Sequence, residues 1–104
     1  MMKQQPFYLN IGGQERPALF TKKSHKLFTD ITIDVKCFPD WIDAKDVLAL
    51  VTILLQDGSI VTKTRAYWWE QVAKWLEEAN NLDEILKVIY KQGLAYWSHG
   101  NRQN

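Results

Sequence analysis

The run LFTDITIDVKCF, Leu27 to Phe38, constrains this chain more than any other stretch. Leu27, Thr29, Ile31, Ile33, Val35 and Cys37 occupy one alternate set. Phe28, Asp30, Thr32, Asp34, Lys36 and Phe38 occupy the other. A two-residue period rich in β-branched side chains predicts a half-buried antiparallel strand, with one face on a core and one in water. Such a strand needs neighbours. Phe7–Ile11 and Ala18–Thr21 read as two short extended pieces around the turn-rich GGQERP, with Pro17 suited to a strand start. Lys22 to Lys26, KKSHK, reads as a solvated basic loop between them and the alternating run.

Pro39 interrupts the pattern, and the segment that follows has two readings. As a helix, Asp40 caps a run to Gln56 in which Ala44, Val47, Leu48, Val51, Leu54 and Leu55 share a face, and Gly58 ends it. As strands, Val47–Gln56 pairs with Ser59–Thr64 across Asp57-Gly58. Asp-Gly between apolar runs is the strongest short hairpin signal, and the β-branched content agrees. The expectation is therefore a second hairpin, with its first strand apolar on both faces and central.

Two helices close the chain. In RAYWWEQVAKWLEEANN, Trp68, Trp69, Val72, Trp75, Leu76 and Ala79 fall on about one third of the helical wheel. That spacing predicts packing rather than a ligand platform, with Trp69 at the stripe's edge and Tyr67 outside it. In NNLDEILKVIYKQG, Asn81 stands at the N-cap with Glu84 three residues on, and Gly93 at the C-terminal stop. Leu94, Tyr96 and Trp97 then lie in a tail that packs back on the body. Strands first and helices last predict an α+β fold. Its antiparallel sheet has four to five strands, two hairpins plus one strand, and two C-terminal helices pack on one face. Residues 1–104 form one domain in this reading, with 1–5 and 100–104 as loose tails.

Composition narrows the function. A net charge of +1 offers no global attraction to nucleic acid, anionic lipid or acidic partners. Cys37 is the single cysteine, so no intrachain disulfide forms. Met1 to Asn10 has one lysine and no apolar run behind it, which predicts no secretory signal. Val47–Leu55 is too short to span a bilayer. A cytoplasmic protein is expected. Five tryptophans in 104 residues are the unusual feature, because tryptophan serves both small cores and binding hot spots.

Catalytic and metal signals are weak. His25, His99 and Cys37 lack ligand spacing, so no metal or cofactor is expected. Cys37 has no base placed beside it by sequence and reads as a small buried hydrophobe. Asp40, Asp43 and Asp46 do not follow calcium-loop spacing. Gly12-Gly13 is a turn, not a phosphate loop. No motif marks a family.

The remaining signal is surplus aromatics. Phe28 and Phe38 on the polar strand face, Trp41 beside Pro39 and Trp97 near the tail form the expected contact surface. Lys22, Lys23 and Lys26 form its rim. The first expectation is a small non-enzymatic protein-interaction module, an inhibitor, immunity-type or accessory protein of the kind phages and mobile elements carry. Its partner is another protein or a second copy in a homodimer. The alternative is a single-stranded nucleic-acid binder using the same aromatics and lysines; Asp30 and Asp34 on that face would repel phosphate. The third is an enzyme or small-ligand protein built around the Asp40–Asp46 loop.

Overall fold

The computed structural model describes residues 6–33, 44–64 and 67–102. Over these residues one hairpin precedes four helices: β1 (Phe7–Ile11), β2 (Gln14–Ala18), α1 (Lys22–Ile33), α2 (Ala44–Thr62), α3 (Trp69–Glu78) and α4 (Leu82–Arg102). The class is α+β, but the content is mostly helical. The four-to-five-stranded sheet is not there; the described residues contain a two-stranded sheet only.

The first hairpin is tighter than its sequence implied. Its register runs from Phe7↔Ala18 to Ile11↔Gln14, leaving Gly12-Gly13 as a two-residue loop. Both glycines have positive φ, 66° and 84°, as a type I′ turn demands. β2 therefore begins at Gln14 and contains Pro17. The pair flanking such a loop exchanges hydrogen bonds, so the alternate pair Tyr8↔Pro17 does not. The missing Pro17 N–H thus costs no ladder bond. Leu9 and Ile11 point into the core, while Tyr8 is exposed on the other face.

The alternating run is a helix from its start to Ile33; Asp34–Phe38 lie outside the described residues. Positions four apart share a face in both helix and strand, so Leu27 and Ile31 satisfy either period. Phe28 and Ser24 decide between them. Ser24, Phe28 and Ile31 are buried together and Leu27 is partly buried, a stripe with helical spacing. The supposed basic loop is the first turn of α1, and a reciprocal cap holds it. The Thr21 N–H donates to Ser24 Oγ at 2.8 Å, and the Ser24 N–H donates to Thr21 Oγ1 at 3.4 Å. Serine takes the role usually given to glutamate in a capping box. Asp57 adds a carboxylate beside this N-terminus by accepting from the Thr21 hydroxyl at 3.2 Å.

α2 is the helix that the Asp57-Gly58 pair had argued against. Val47, Leu50, Val51, Leu54 and Leu55 are buried along it, and it packs against β2, α1 and α3. Gly58 lies inside the helix, where a Cβ would strike the Pro17 carbonyl and the Ala18 backbone. One turn earlier, the Leu54 carbonyl accepts a hydrogen bond from the Leu19 N–H at 3.0 Å. Here glycine serves close approach of two backbones, not a turn. The helix ends after Thr62 in a Schellman arrangement. Lys63 takes the left-handed position at φ 58°, and Thr64 N–H returns to the Ser59 carbonyl at 2.9 Å.

α4 also runs through its expected stop. Gly93 is buried in mid-helix, with the Phe28 ring where a side chain would sit. α4 begins after Asn81, whose amide nitrogen donates to the Asn10 carbonyl at 2.9 Å and ties the helix start to β1. The two C-terminal helices do not share a sheet face: α3 packs on α2, while α4 packs on β1 and α1. One apolar cluster links β1, β2 and the four helices.

Two substitutions test this account. Gly58→Ala lowers the urea midpoint, at a cost of about 1–3 kcal/mol, because the obstructing atoms are backbone and cannot rotate away. Lys63→Gly raises it by about 1 kcal/mol by relieving a left-handed residue. A neutral Gly58→Ala would mean that α2 does not seat on β2 in this way.

Candidate functional site

The residues expected to form a contact surface are not brought together. Lys22, Lys23 and Lys26 are exposed on α1. Phe28 is on the opposite side of the same helix, 3% exposed, in the core rather than on a polar strand face. Its ring contacts Phe20, His25 and Tyr90. Phe38 and Trp41 lie outside the described residues. Trp97 falls on α4, and its side chain is also outside them. Of the aspartates expected to form a catalytic loop, Asp46 is in the first turn of α2, while Asp40 and Asp43 are not described. Among the described residues no three His, Cys, Asp or Glu side chains stand close enough to hold a metal ion. No helix among them is long and apolar enough to cross a membrane.

The aromatic segment at the start of α3 divides in a way opposite to its helical wheel. Tyr67 turns inward and Trp68 and Trp69 turn outward, 77% and 57% exposed. Trp68 is the N-cap, with extended backbone (φ −83°, ψ 146°) and no side-chain cap bond, so helical periodicity does not govern its direction. The inward stripe begins at Val72, which is fully buried, and continues through Trp75 and Leu76.

Arg16 of β2 organises the inward pair. Its guanidinium lies 4.0 Å from the Trp75 ring and 5.2 Å from the Tyr67 ring, within cation–π range. Its Nε donates to the Ile11 carbonyl at 2.8 Å, and a terminal nitrogen donates to the Gly12 carbonyl at 3.0 Å. Tyr67 and Trp75 meet edge to face at 5.5 Å, and the Trp75 indole covers Gly12 where a Cβ would be. The clasp spends Tyr67 and Trp75 on the hairpin tip and leaves Trp68 and Trp69 uncovered. Gln56 Nε2 donates to the Tyr67 carbonyl at 3.5 Å, which sets this link against α2. Ile60, one turn further along α2, is 72% exposed, and Val61 is exposed at the same helix end. Two tryptophans are thus exposed at the start of α3 and two aliphatic side chains near the end of α2, the helix that α3 packs on.

His25 occupies a different environment. Its ring lies 4.7 Å from Tyr96 and about 6 Å from Phe20 and Phe28. Its Nε2 donates to the Gly93 carbonyl at 3.2 Å, since a carbonyl only accepts. Burial pushes the His25 pKa below its ordinary value of 6.5, and the Gly93 carbonyl offsets part of that. The unfolded chain therefore takes up this proton first. The contribution is fully present above pH 6.5 and is lost as pH falls through 6.5 towards the folded value. Urea midpoints should drop as pH falls below about 6.5, and His25→Phe should flatten the curve there. An unchanged slope in the variant would place the titrating group elsewhere.

Comparison with known proteins adds no family: no protein-family model matches the chain, and no curated protein or solved structure does either.

Proposed function

We propose that this chain is a cytosolic, non-enzymatic protein-interaction module, of an inhibitor, immunity or accessory type, and that it works through the α2–α3 corner. The observation that carries the reading is the outward pair Trp68 and Trp69, held exposed while Tyr67 and Trp75 are clasped inward. Exposed tryptophan is costly to leave in water and is enriched at the centres of protein interfaces. Ile60 and Val61 are exposed near the end of α2, the helix that α3 packs on. Aliphatic side chains have no face on which a nucleobase stacks, so their presence favours a protein partner over a single strand. The nucleic-acid alternative keeps the exposed Lys22, Lys23 and Lys26 but loses Phe28 as a platform.

Photo-crosslinking from inside cells tests the reading. A photoreactive residue at position 69 should capture protein, and adding Trp68→Ala should abolish the adduct. The same residue at position 8, exposed on the hairpin, should not capture it. Adducts to RNA or single-stranded DNA at position 69 would replace this reading with the nucleic-acid one. Equal capture from both positions would overturn it.

A further inference from the structure

Arg16 has more hydrogen-bonding capacity than the fold uses. A guanidinium carries five N–H donors in a fixed planar fork. Nε and the terminal nitrogen Nη2 donate to the consecutive Ile11 and Gly12 carbonyls, at 2.8 and 3.0 Å. That pair takes the side edge of the fork. The end edge, one N–H on each terminal nitrogen, has no acceptor among the described residues. Nη1, which makes no hydrogen bond there, is not buried either. Among the described residues, Thr52 Oγ1 is the one buried side-chain nitrogen or oxygen without a partner. The end of the fork is therefore open to solvent. Its charge is also unmatched: among the described residues Arg16 forms no ion pair. Glu15, the next residue in the strand, stands opposite Asn10 and points to the other sheet face. The fork is held still by the two carbonyls and by the Trp75 and Tyr67 rings, 4.0 and 5.2 Å away. Arginine ordinarily gives up much rotamer freedom on binding. This one is ordered already, so a ligand meets a preorganised pair of donors.

We infer that the end edge of Arg16 is a carboxylate-binding site, and that its ligand is an acidic side chain of the partner protein. This rests on the interaction-module reading and names the chemistry of the partner. Two parallel N–H groups match the two oxygens of one carboxylate. Phosphate fits the same fork, but sites that read phosphate gather several cations. The groups that hold Arg16 are two carbonyls and two rings instead. Trp75 lies over the guanidinium, so the ligand approaches at the edge, in the plane of the fork. Tyr67 is bonded to Trp68, so the exposed tryptophans begin one residue from the clasp. The tryptophans supply apolar area to the contact. Arg16 supplies direction, because a partner that sets an apolar or basic group against the fork leaves its donors and charge unmatched.

NMR of the arginine side chains in the full chain tests the site. Sodium acetate should move the Arg16 terminal N–H signals and the Trp75 indole N–H signal along a saturating curve. Sodium chloride at equal ionic strength should not, and sodium phosphate should bind no tighter than acetate. Arg16 signals that ignore acetate, or follow chloride equally, overturn the inference. Tighter binding of phosphate overturns it too, and puts a phosphate ligand in place of the carboxylate. The second arm uses the photo-adduct at position 69. Arg16→Lys keeps the charge but not the fork, and should lower the adduct yield about tenfold or more. The captured partner segment should carry an aspartate or glutamate whose replacement by its amide lowers the yield to the same degree. A segment without an acid overturns the inference however the Arg16→Lys chain folds. An adduct undiminished by either change overturns it as well, and leaves the interaction-module reading standing. If the unsubstituted Arg16 chain gives no protein adduct at position 69, that reading fails and the partner-borne ligand with it, while the acetate response still decides whether Arg16 binds carboxylate.

Discussion

The seating of α2 on β2 is the constraint from which the remaining packing follows. Gly58 lets the helix backbone meet the Pro17 carbonyl, and Leu19 adds one hydrogen bond to the Leu54 carbonyl. That bond is worth about 1 kcal/mol net. The buried side chains along α2, Val47, Leu50, Val51, Leu54 and Leu55, contribute about 1.5–3 kcal/mol each. Packing therefore supplies the stability, while the close backbone approach fixes where the hairpin sits. Asp57, next to that glycine, then reaches Thr21 and anchors the start of α1.

A second close approach repeats the device. Gly93 admits the Phe28 ring to the backbone of α4, and its carbonyl accepts a hydrogen bond from His25 Nε2. α1 and α4 are joined there by an aromatic group that includes Phe20 and Tyr96. Phe28 is thus the side chain that packs these two helices, which is why it is unavailable as a binding surface.

The aromatic residues around α3 are divided by the hairpin tip. Arg16 faces Tyr67 and Trp75 and uses two of its N–H donors on the Ile11 and Gly12 carbonyls. A cation in that position satisfies two backbone acceptors and covers two rings at once. Trp68, on extended backbone, and Trp69, at the first helical position, lie before the stripe that Val72 begins. Their exposure follows from where the helix starts, and the functional reading follows from their exposure.

Several features were legible in the residues alone. An opening hairpin with its first strand at Phe7–Ile11, though not its second strand or its register, the α3 stripe from Val72 onward and the start of α4 after Asn81 each depend on contacts within a few residues. So does the division of Phe7 and Tyr8 between two strand faces. The failures have two causes. Period two and period 3.6 coincide at every fourth residue, so Leu27 and Ile31 supported a strand as well as a helix. Asp57-Gly58 and Gly93 carried turn and stop signals because glycine is used identically, in sequence, for a bend and for a close contact. No local pattern reveals that Pro17 or Phe28 will arrive at those positions. Sequence by itself determined a small α+β chain that opens with a hairpin and closes with two helices. Tertiary structure alone decided that Lys22–Ile33 and Ala44–Thr62 are helical and that Trp68 and Trp69 face outward. Those choices depend on which distant backbone and ring atoms fill the space beside each glycine, and on where the Arg16 clasp draws the aromatic side chains.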